Sequence, residues 1–401
     1  MASTSNNSLE FITCLSFNQD KSGFAIGTKD GFKVFDSSGG LCFQRSIGAF
    51  SIVEMLFSTS LLTIVGAGEQ PSLSPRCLHM YNTHTNKTLR ELNFLTTILA
   101  VRFNKKRLIV VLQDKTYIYD TNKVTILDTI DTVPNTTGLC AFSPSSDSCY
   151  LALPASKTKG WVLIYNTMEL NSLCQIDAHR NPLVALEFSS NGMYIATASE
   201  QGTVIRVHLV AQATKSYSFR RGTYPSKILS LSFGSSSKEL PEILVATSSS
   251  GSIHVFLLES TINPKKSGGF LGSIISGPIN NALECCHHQI LHQALSPGIK
   301  SYSMVHNVVK TYSPAVFRAT LVIIDANGNL REYSFTLNKM NDPQCQWKLK
   351  RVVNLLVSAD SACSSIVDDN LESGYLIVSS PKYSTHDKTQ ITIDEVTCGL
   401  V

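Results

Sequence analysis

The stretch "VALEFSSNGMYIATASEQGTVIRVHL", residues 184–209, holds three short apolar runs separated by two Gly-containing turns. Alternating β-branched, aromatic and small residues describe strands, and the Gly-containing breaks describe reversals between them. A small sheet of this kind cannot cover both of its own faces. It specifies a unit that needs neighbours. The same rhythm appears in "ITCLSFNQDKSGFAIGTKDGFKVFD" (12–36) and in "ILSLSFGSSSKELPEILVATSSSGSIHVFLL" (228–258). Weaker copies are "SIVEMLFSTSLLTIVGAG" (51–68), "ILAVRFNKKRLIVVLQDKTYIYD" (98–120), "GLCAFSPSSDSCYLALPASKTKGWVLIYN" (138–166) and "VFRATLVIIDANGNLREYSF" (316–335).

These make seven units, most of them about 40–50 residues apart, which is the spacing of four-stranded propeller blades. Helical periodicity is nearly absent. The expected fold is therefore all-β, a seven-bladed β-propeller. A β-sandwich or a pair of β domains is the alternative, and the regular spacing fits it less well. No copy ends in a clear Trp-Asp pair, so the repeats are of a divergent WD type. Residues 1–9 are expected to be a flexible N-terminus and 10–357 the propeller. A C-terminal extension, 358–401, is rich in Ser and Asp and reads as partly loose, although "GYLIVSS" is open as one more strand.

Composition narrows the function. Of 401 residues, 43% are hydrophobic and 16% charged, a core-forming balance. The formal net charge is only +4, so any recognition of anions must come from a local cluster. Nucleic-acid binding is not expected, because basic and aromatic residues are not interleaved. The eleven cysteines include no CxxC pair, and several (Cys14, Cys140, Cys174) lie in apolar runs, as reduced thiols of a cytosolic protein would. The N-terminus lacks the basic and apolar regions of a secretion signal. No run reaches the roughly 18 apolar residues of a spanning helix.

No glycine-rich phosphate loop, nucleophile elbow or paired-carboxylate arrangement is present, and an enzyme is not expected. In "CCHHQILH" (285–292), His288 and His292 have the spacing of a zinc-protease helix, but Gln289 stands where the general base would be. Cys285, Cys286, His287 and His292 are metal-ligating types, yet neither a metal nor a cofactor is expected.

A local cluster does exist. "SYSFRRGTYPSKILSLSF", residues 216–233, sets Arg220 and Arg221 side by side between two strand-like runs. Neighbouring residues of an extended chain point to opposite sides, so the two arginines serve two flanks. One flank carries "DAHRNPL" and "TASEQGTVIR", the other "ATSSSGSIH". Each offers a histidine, hydroxyls and a Gly-containing turn, around an arginine whose planar fork matches phosphate oxygens. Two small anion sites on the rim between neighbouring blades are one reading. Two surface arginines beside a serine-rich turn are the other.

"FRRGTYP" (219–225), with "AHRNPL" and "ATASEQGTVIR" before it and "GSIHVF" after it, resembles the PROPPIN family, autophagy-related propellers that bind polyphosphoinositides. "VEMLFSTSLLTIVGAG", "KKRLIVVLQDKTYIYD" and "TVPNTTGLCAFSP" extend the resemblance to roughly residues 10–335. The motif is Phe219, Arg220, Arg221 and Gly222. The resemblance implies two headgroup sites, for phosphatidylinositol 3-phosphate and phosphatidylinositol 3,5-bisphosphate. The first would comprise His179, Ser199, Thr203, Arg206 and Arg220, and the second Arg221, Thr247, Ser248, Ser252 and His254.

It also implies a membrane-facing loop at about 259–300. There "KKSGGFLGSII" (265–275) joins Lys265 and Lys266 to Phe270, Leu271, Ile274 and Ile275, a basic and apolar pairing suited to an anionic bilayer. The same apolar residues could instead fold back onto the rim. The implied role is that of a cytoplasmic peripheral membrane protein of the preautophagosomal structure, endosome and vacuole that recruits a lipid-transfer partner. A WD-repeat protein-interaction scaffold without lipid binding is the rival.

Overall fold

A computed structural model describes residues 11–234, 242–258, 282–283, 287–312, 315–338 and 346–357. The calls on 1–9 and 358–401, and on Lys265, Lys266, Phe270, Leu271, Ile274 and Ile275, fall outside these residues.

Seven small antiparallel sheets form a ring. Each follows chain order from the axis outward, and blade five gains a short fifth strand from the chain between the last two strands of blade six. They span residues 14–45, 50–93, 100–131, 141–179, 183–220, 228–291 and 301–354, numbered here as blades one to seven. The all-β expectation and the seven-bladed propeller are both met. The seventh unit begins earlier than its sequence copy suggests, because its innermost strand is Ser301–Tyr312. The segment 259–300, expected to be loop throughout, contains the outer strand of blade six. That strand, His287–Leu291, pairs antiparallel with Ile253–Leu258. His287 and His288 are thus neighbours on a strand, and a metalloprotease-like helix is excluded there. Between these strands the chain adds Ala282–Leu283 to the outer edge of blade five, parallel to Ser216 and Tyr217.

The hydrophobic core is divided into seven clusters, and each fills the seam between two adjacent blades. Between blades five and six, for example, Ala196, Ile205, Tyr217 and Phe219 face Leu231, Leu244 and Phe256. The ring closes in the same way. Phe24, Ile26 and Phe35 of blade one pack against Met304, Val322, Ile324 and Leu330 of blade seven. Backbone and side-chain bonds reinforce the closure: Ile12 N donates to the Ala326 carbonyl at 2.9 Å, and Lys33 Nζ to those of Leu355 and Leu356 at 3.3 and 3.2 Å.

Inside the ring lies a cavity of about 370 Å3 lined by the innermost strands. Polar contacts cross between blades there. Arg102 of blade three donates to Glu54 of blade two. Lys21 of blade one donates to Ser232 Oγ of blade six at 2.7 Å and to the Phe233 carbonyl. Burial pushes the Glu54 carboxyl up to about 7, against the opposing pull of Arg102. Gln19 Nε2 joins three blades by donating to the carbonyls of Met55 and Phe103 at 2.8 and 2.7 Å.

Phe24 is fully buried in the closing seam. Phe24→Ala should therefore cost about 3–5 kcal/mol, read as a lower urea midpoint with an unchanged transition slope. A loss no larger than that of an exposed-site control such as Leu41→Ala would show that the seam between blades seven and one does not hold the ring.

Candidate functional site

Strand pairing fixes which face of blade five each residue occupies. Along Val204–Leu209, Ile205 and Val207 belong to the seam with blade six. The alternate residues Val204, Arg206 and His208 face blade four. Arg220 pairs with Val204, Ser218 with Arg206 and Phe219 with Ile205. Arg220 therefore lies on the blade-four face, while Phe219 is buried on the blade-six face. Phe219 anchors the motif. Its ring sits 4.7 Å from that of Phe256 and stacks on Tyr217 at 6.1 Å.

The blade-four face gathers Thr197, Ser199, Arg206 and Arg220 around the end of Asn171–His179. His179 is buried and held at both ring nitrogens. Nε2 lies 2.9 Å from Thr197 Oγ1 and Nδ1 3.1 Å from an Arg206 guanidinium nitrogen, which also donates to the Ala178 carbonyl at 2.7 Å. Burial, then the charge of Arg206, lowers the His179 pKa to about 4, so the ring is neutral near pH 7. Arg220 is exposed. Thr203 contributes its carbonyl, which accepts from the Arg221 and Gly222 amides at 2.8 and 3.4 Å.

The blade-six side is more tightly built. Arg221 is only 9% exposed. Its Nε donates to the Gly202 carbonyl at 2.6 Å, and another guanidinium nitrogen donates to the Tyr224 carbonyl. Across the seam, Ser248, Ser250 and Ser252 form a triangle of hydroxyls with Oγ separations of 2.8, 2.8 and 2.9 Å. Ser252 Oγ also lies 2.9 Å from His254 Nε2, and His254 Nδ1 lies 3.0 Å from His288 Nε2. Burial, then His288, then Arg221 brings the His254 pKa down to about 3. Burial and Arg221 also lower that of His288.

Thr247 stands apart from this group. It pairs with Ile253, which faces blade seven, and its hydroxyl lies 2.8 Å from Ser230 Oγ and donates to the Ser301 carbonyl at 3.2 Å. The alternation that turns Ser248 toward Arg221 turns Thr247 away from it. Thr197, Ser226, Ser250 and His288 belong to the clusters, although the sequence assigned none of them to a rim site and marked His288 only for its spacing from His292. Thr197 was legible as the residue two before Ser199 on one strand face. His288 was not, because its strand lay inside the supposed loop.

Two glycines let the clusters form. Gly202 has φ +59, and a Cβ on it would sit 1.9 Å from the Ser226 carbonyl oxygen. Gly251 has φ +80, with the Leu295 carbonyl oxygen 2.3 Å from its would-be Cβ. Each admits the next segment of chain over a turn at positive φ.

The fold and rim describe a propeller with two polar clusters, each holding an arginine, a histidine and hydroxyls, on opposite faces of one blade. The chain belongs to the PROPPIN family, whose sequence profile matches residues 11–346. It is 60% identical over 353 residues to autophagy-related protein 18b of Arabidopsis thaliana, covering 86% of this chain and 96% of that protein. It is 39% identical over 274 residues to autophagy-related protein 18 of Yarrowia lipolytica, covering 63% and 68% of the two chains. In fold it is similar to the solved structure of Kluyveromyces lactis Hsv2, with a TM-score of 0.65 and 17% identity over 86% of this chain and 99% of that one. It also resembles KlAtg21, solved in complex with the coiled coil of AgAtg16, with a TM-score of 0.62 and 22% identity over 86% and 99%.

His208 lies beside the first cluster, buried, with the Ala213 backbone near enough to act on its ring. Burial, then Arg206, lowers its pKa to about 4. Its unfolded value is near 6.5, so the unfolded chain takes up a proton that the folded one refuses between pH 6.5 and about 4. Stability linked to His208 is complete above pH 6.5 and is lost as the pH falls through that window. His208→Phe should therefore narrow the gap between denaturation midpoints at pH 7 and pH 5. An unchanged gap would show that this ring does not titrate on unfolding.

Proposed function

We propose that this protein reads phosphoinositides on cytoplasmic membrane surfaces during autophagosome formation, binding phosphatidylinositol 3-phosphate and phosphatidylinositol 3,5-bisphosphate at two rim sites. The observation that carries the reading is the division of the Arg-Arg pair. Arg220 shares the blade-four face with Arg206, which bonds His179, while Arg221 lies near enough to His254 and His288 to lower their pKa values, in a member of the PROPPIN family. The first site comprises Arg220, Arg206, His179, Ser199 and Thr203. The second comprises Arg221, His254, Ser248 and Ser252. Thr247 supports it only from the opposite face.

The chemistry suits a phosphomonoester. Arginine supplies a charge-assisted fork, and serine hydroxyls rotate to donate where the anion needs them. The buried histidines are neutral when free, and an arriving dianion would favour their protonated forms. Arg221 already holds two backbone carbonyls, which fixes its guanidinium before any ligand arrives. Two weak sites on one body raise avidity through effective concentration. Insertion of Phe270, Leu271, Ile274 and Ile275, with Lys265 and Lys266 at the surface, would add residence. Recruitment of a lipid-transfer partner at the preautophagosomal structure, endosome or vacuole completes the proposal. No step of it is catalytic.

Arg220→Thr combined with Arg221→Thr should lower binding to vesicles carrying phosphatidylinositol 3-phosphate by about a hundredfold, and each single substitution by about tenfold, as loss of charged hydrogen bonds implies. Arg221→Thr should also lower the melting temperature slightly, because two carbonyls lose their donor. Vesicle flotation of the double variant at the wild-type level, with circular dichroism unchanged, would sink the reading and favour a protein-interaction scaffold.

A further inference from the structure

The segment between blades five and six, residues 221–227, is pinned at both ends and projects in the middle. On its N-terminal side, the Arg221 and Gly222 amides donate to the Thr203 carbonyl and the Arg221 guanidinium to Gly202 and Tyr224. On its C-terminal side, Ser226 N donates to the Gln201 carbonyl at 3.2 Å, Ser226 Oγ lies 3.1 Å from Ser249 Oγ, and Ser250 N donates to Ser226 Oγ at 3.2 Å. Pro225 stiffens the tip further. Thr223, Tyr224 and Pro225 are all exposed at this tip. Tyr224 is 83% exposed, more than any other aromatic side chain among the described residues.

A large ring held out in water by a rigid tip gains nothing from folding. Its surroundings indicate what it meets. The Glu200 amide bonds the Pro182 carbonyl, and Ser226 bonds Gln201, so the chain around 180–182, 200–203 and 220–227 forms one edge. Exposed Arg180, Arg220 and Lys227 lie along it, with Glu200 as the acid between them. An amphipathic ring with a polar tip, set among cations, has the make-up of a residue that settles at the headgroup level of an anionic bilayer.

We propose that Tyr224 is a membrane-contacting residue whose ring enters the interfacial layer of an anionic lipid surface while the flanking arginines hold headgroups. This rests on the phosphoinositide reading above, and it assigns the membrane contact to a fixed tip in addition to the long insertion of blade six. Because Arg221 holds the Tyr224 carbonyl, the backbone that carries the ring has a fixed position relative to the second cluster. Tyr224 thereby orients the propeller on the membrane.

The test uses the full chain with phosphatidylcholine vesicles containing phosphatidylinositol 3-phosphate, and calorimetry with the soluble headgroup inositol 1,3-bisphosphate. Tyr224→Ser should weaken vesicle binding about three- to tenfold, the scale of losing one partly buried ring, and leave headgroup binding unchanged. Tyr224→Phe should retain most vesicle binding. Tyr224→Trp should give indole fluorescence quenched by lipids brominated near the headgroup, beyond the signal of Trp161 and Trp347 in the wild type. Wild-type vesicle affinity in Tyr224→Ser, or an introduced indole that brominated lipid leaves unquenched, would overturn the membrane contact alone. Equal losses in the vesicle and headgroup assays would overturn it too, and would make Tyr224 a support for Arg221. Failure of the wild type itself to bind vesicles would remove the phosphoinositide reading and this inference with it.

Discussion

No blade of this protein can be stable alone, and the rest of the structure follows from that. Each sheet has two apolar faces and is only four or five strands wide, so its hydrophobic surface is satisfied only when a neighbour covers each side. All seven core clusters are shared between two blades. The last seam joins the two ends of the ring, and Phe24 and Val322 meet there although they lie far apart in sequence. The fold therefore depends on long-range closure, and the ring stands or falls as a set of seams.

The same packing creates the rim clusters. A strand at the outer edge of a blade alternates its side chains between two seams, and where the apolar filling stops, polar residues continue the alternation toward solvent. Phe219 still belongs to the core, whereas Arg220 and Arg221 lie just beyond it on either side. One apolar anchor thus aims two cations. The histidines sit at the boundary, buried enough to be neutral yet bonded to hydroxyls and, for His179, to Arg206. The clusters are held together by their own hydrogen bonds, which under the proposed function would reduce the ordering cost of binding.

Buried charge is handled differently at the axis. There Glu54 and Arg102 tie blade two to its neighbour blade three, and Lys21 of blade one reaches Ser232 and Phe233 of blade six, which is not its neighbour in the ring. In the channel Arg102 is held by Glu54 and Lys21 by Ser232 and the Phe233 carbonyl, while the charged side chains of the rim include exposed Arg180, Arg220 and Lys227. The contrast separates the structural polar groups from those open to a partner.

The sequence by itself determined the blade count, the strand–turn rhythm, the Arg-Arg pair and its division between two flanks. All of these are local: a period of two along a strand and a Gly-containing turn are written in a few neighbouring residues. Tertiary structure decided the rest. It turned Thr247 toward blade seven and Ser248 toward Arg221, brought His288 from a supposed loop to 3.0 Å from His254, and set Thr197 against His179. It buried Arg221 and made it a clasp for Gly202 and Tyr224. These contacts join residues on different strands or different blades. Which of them meet is set by strand register and by the stacking of sheets around the axis, neither of which can be read from the order of residues within a single repeat.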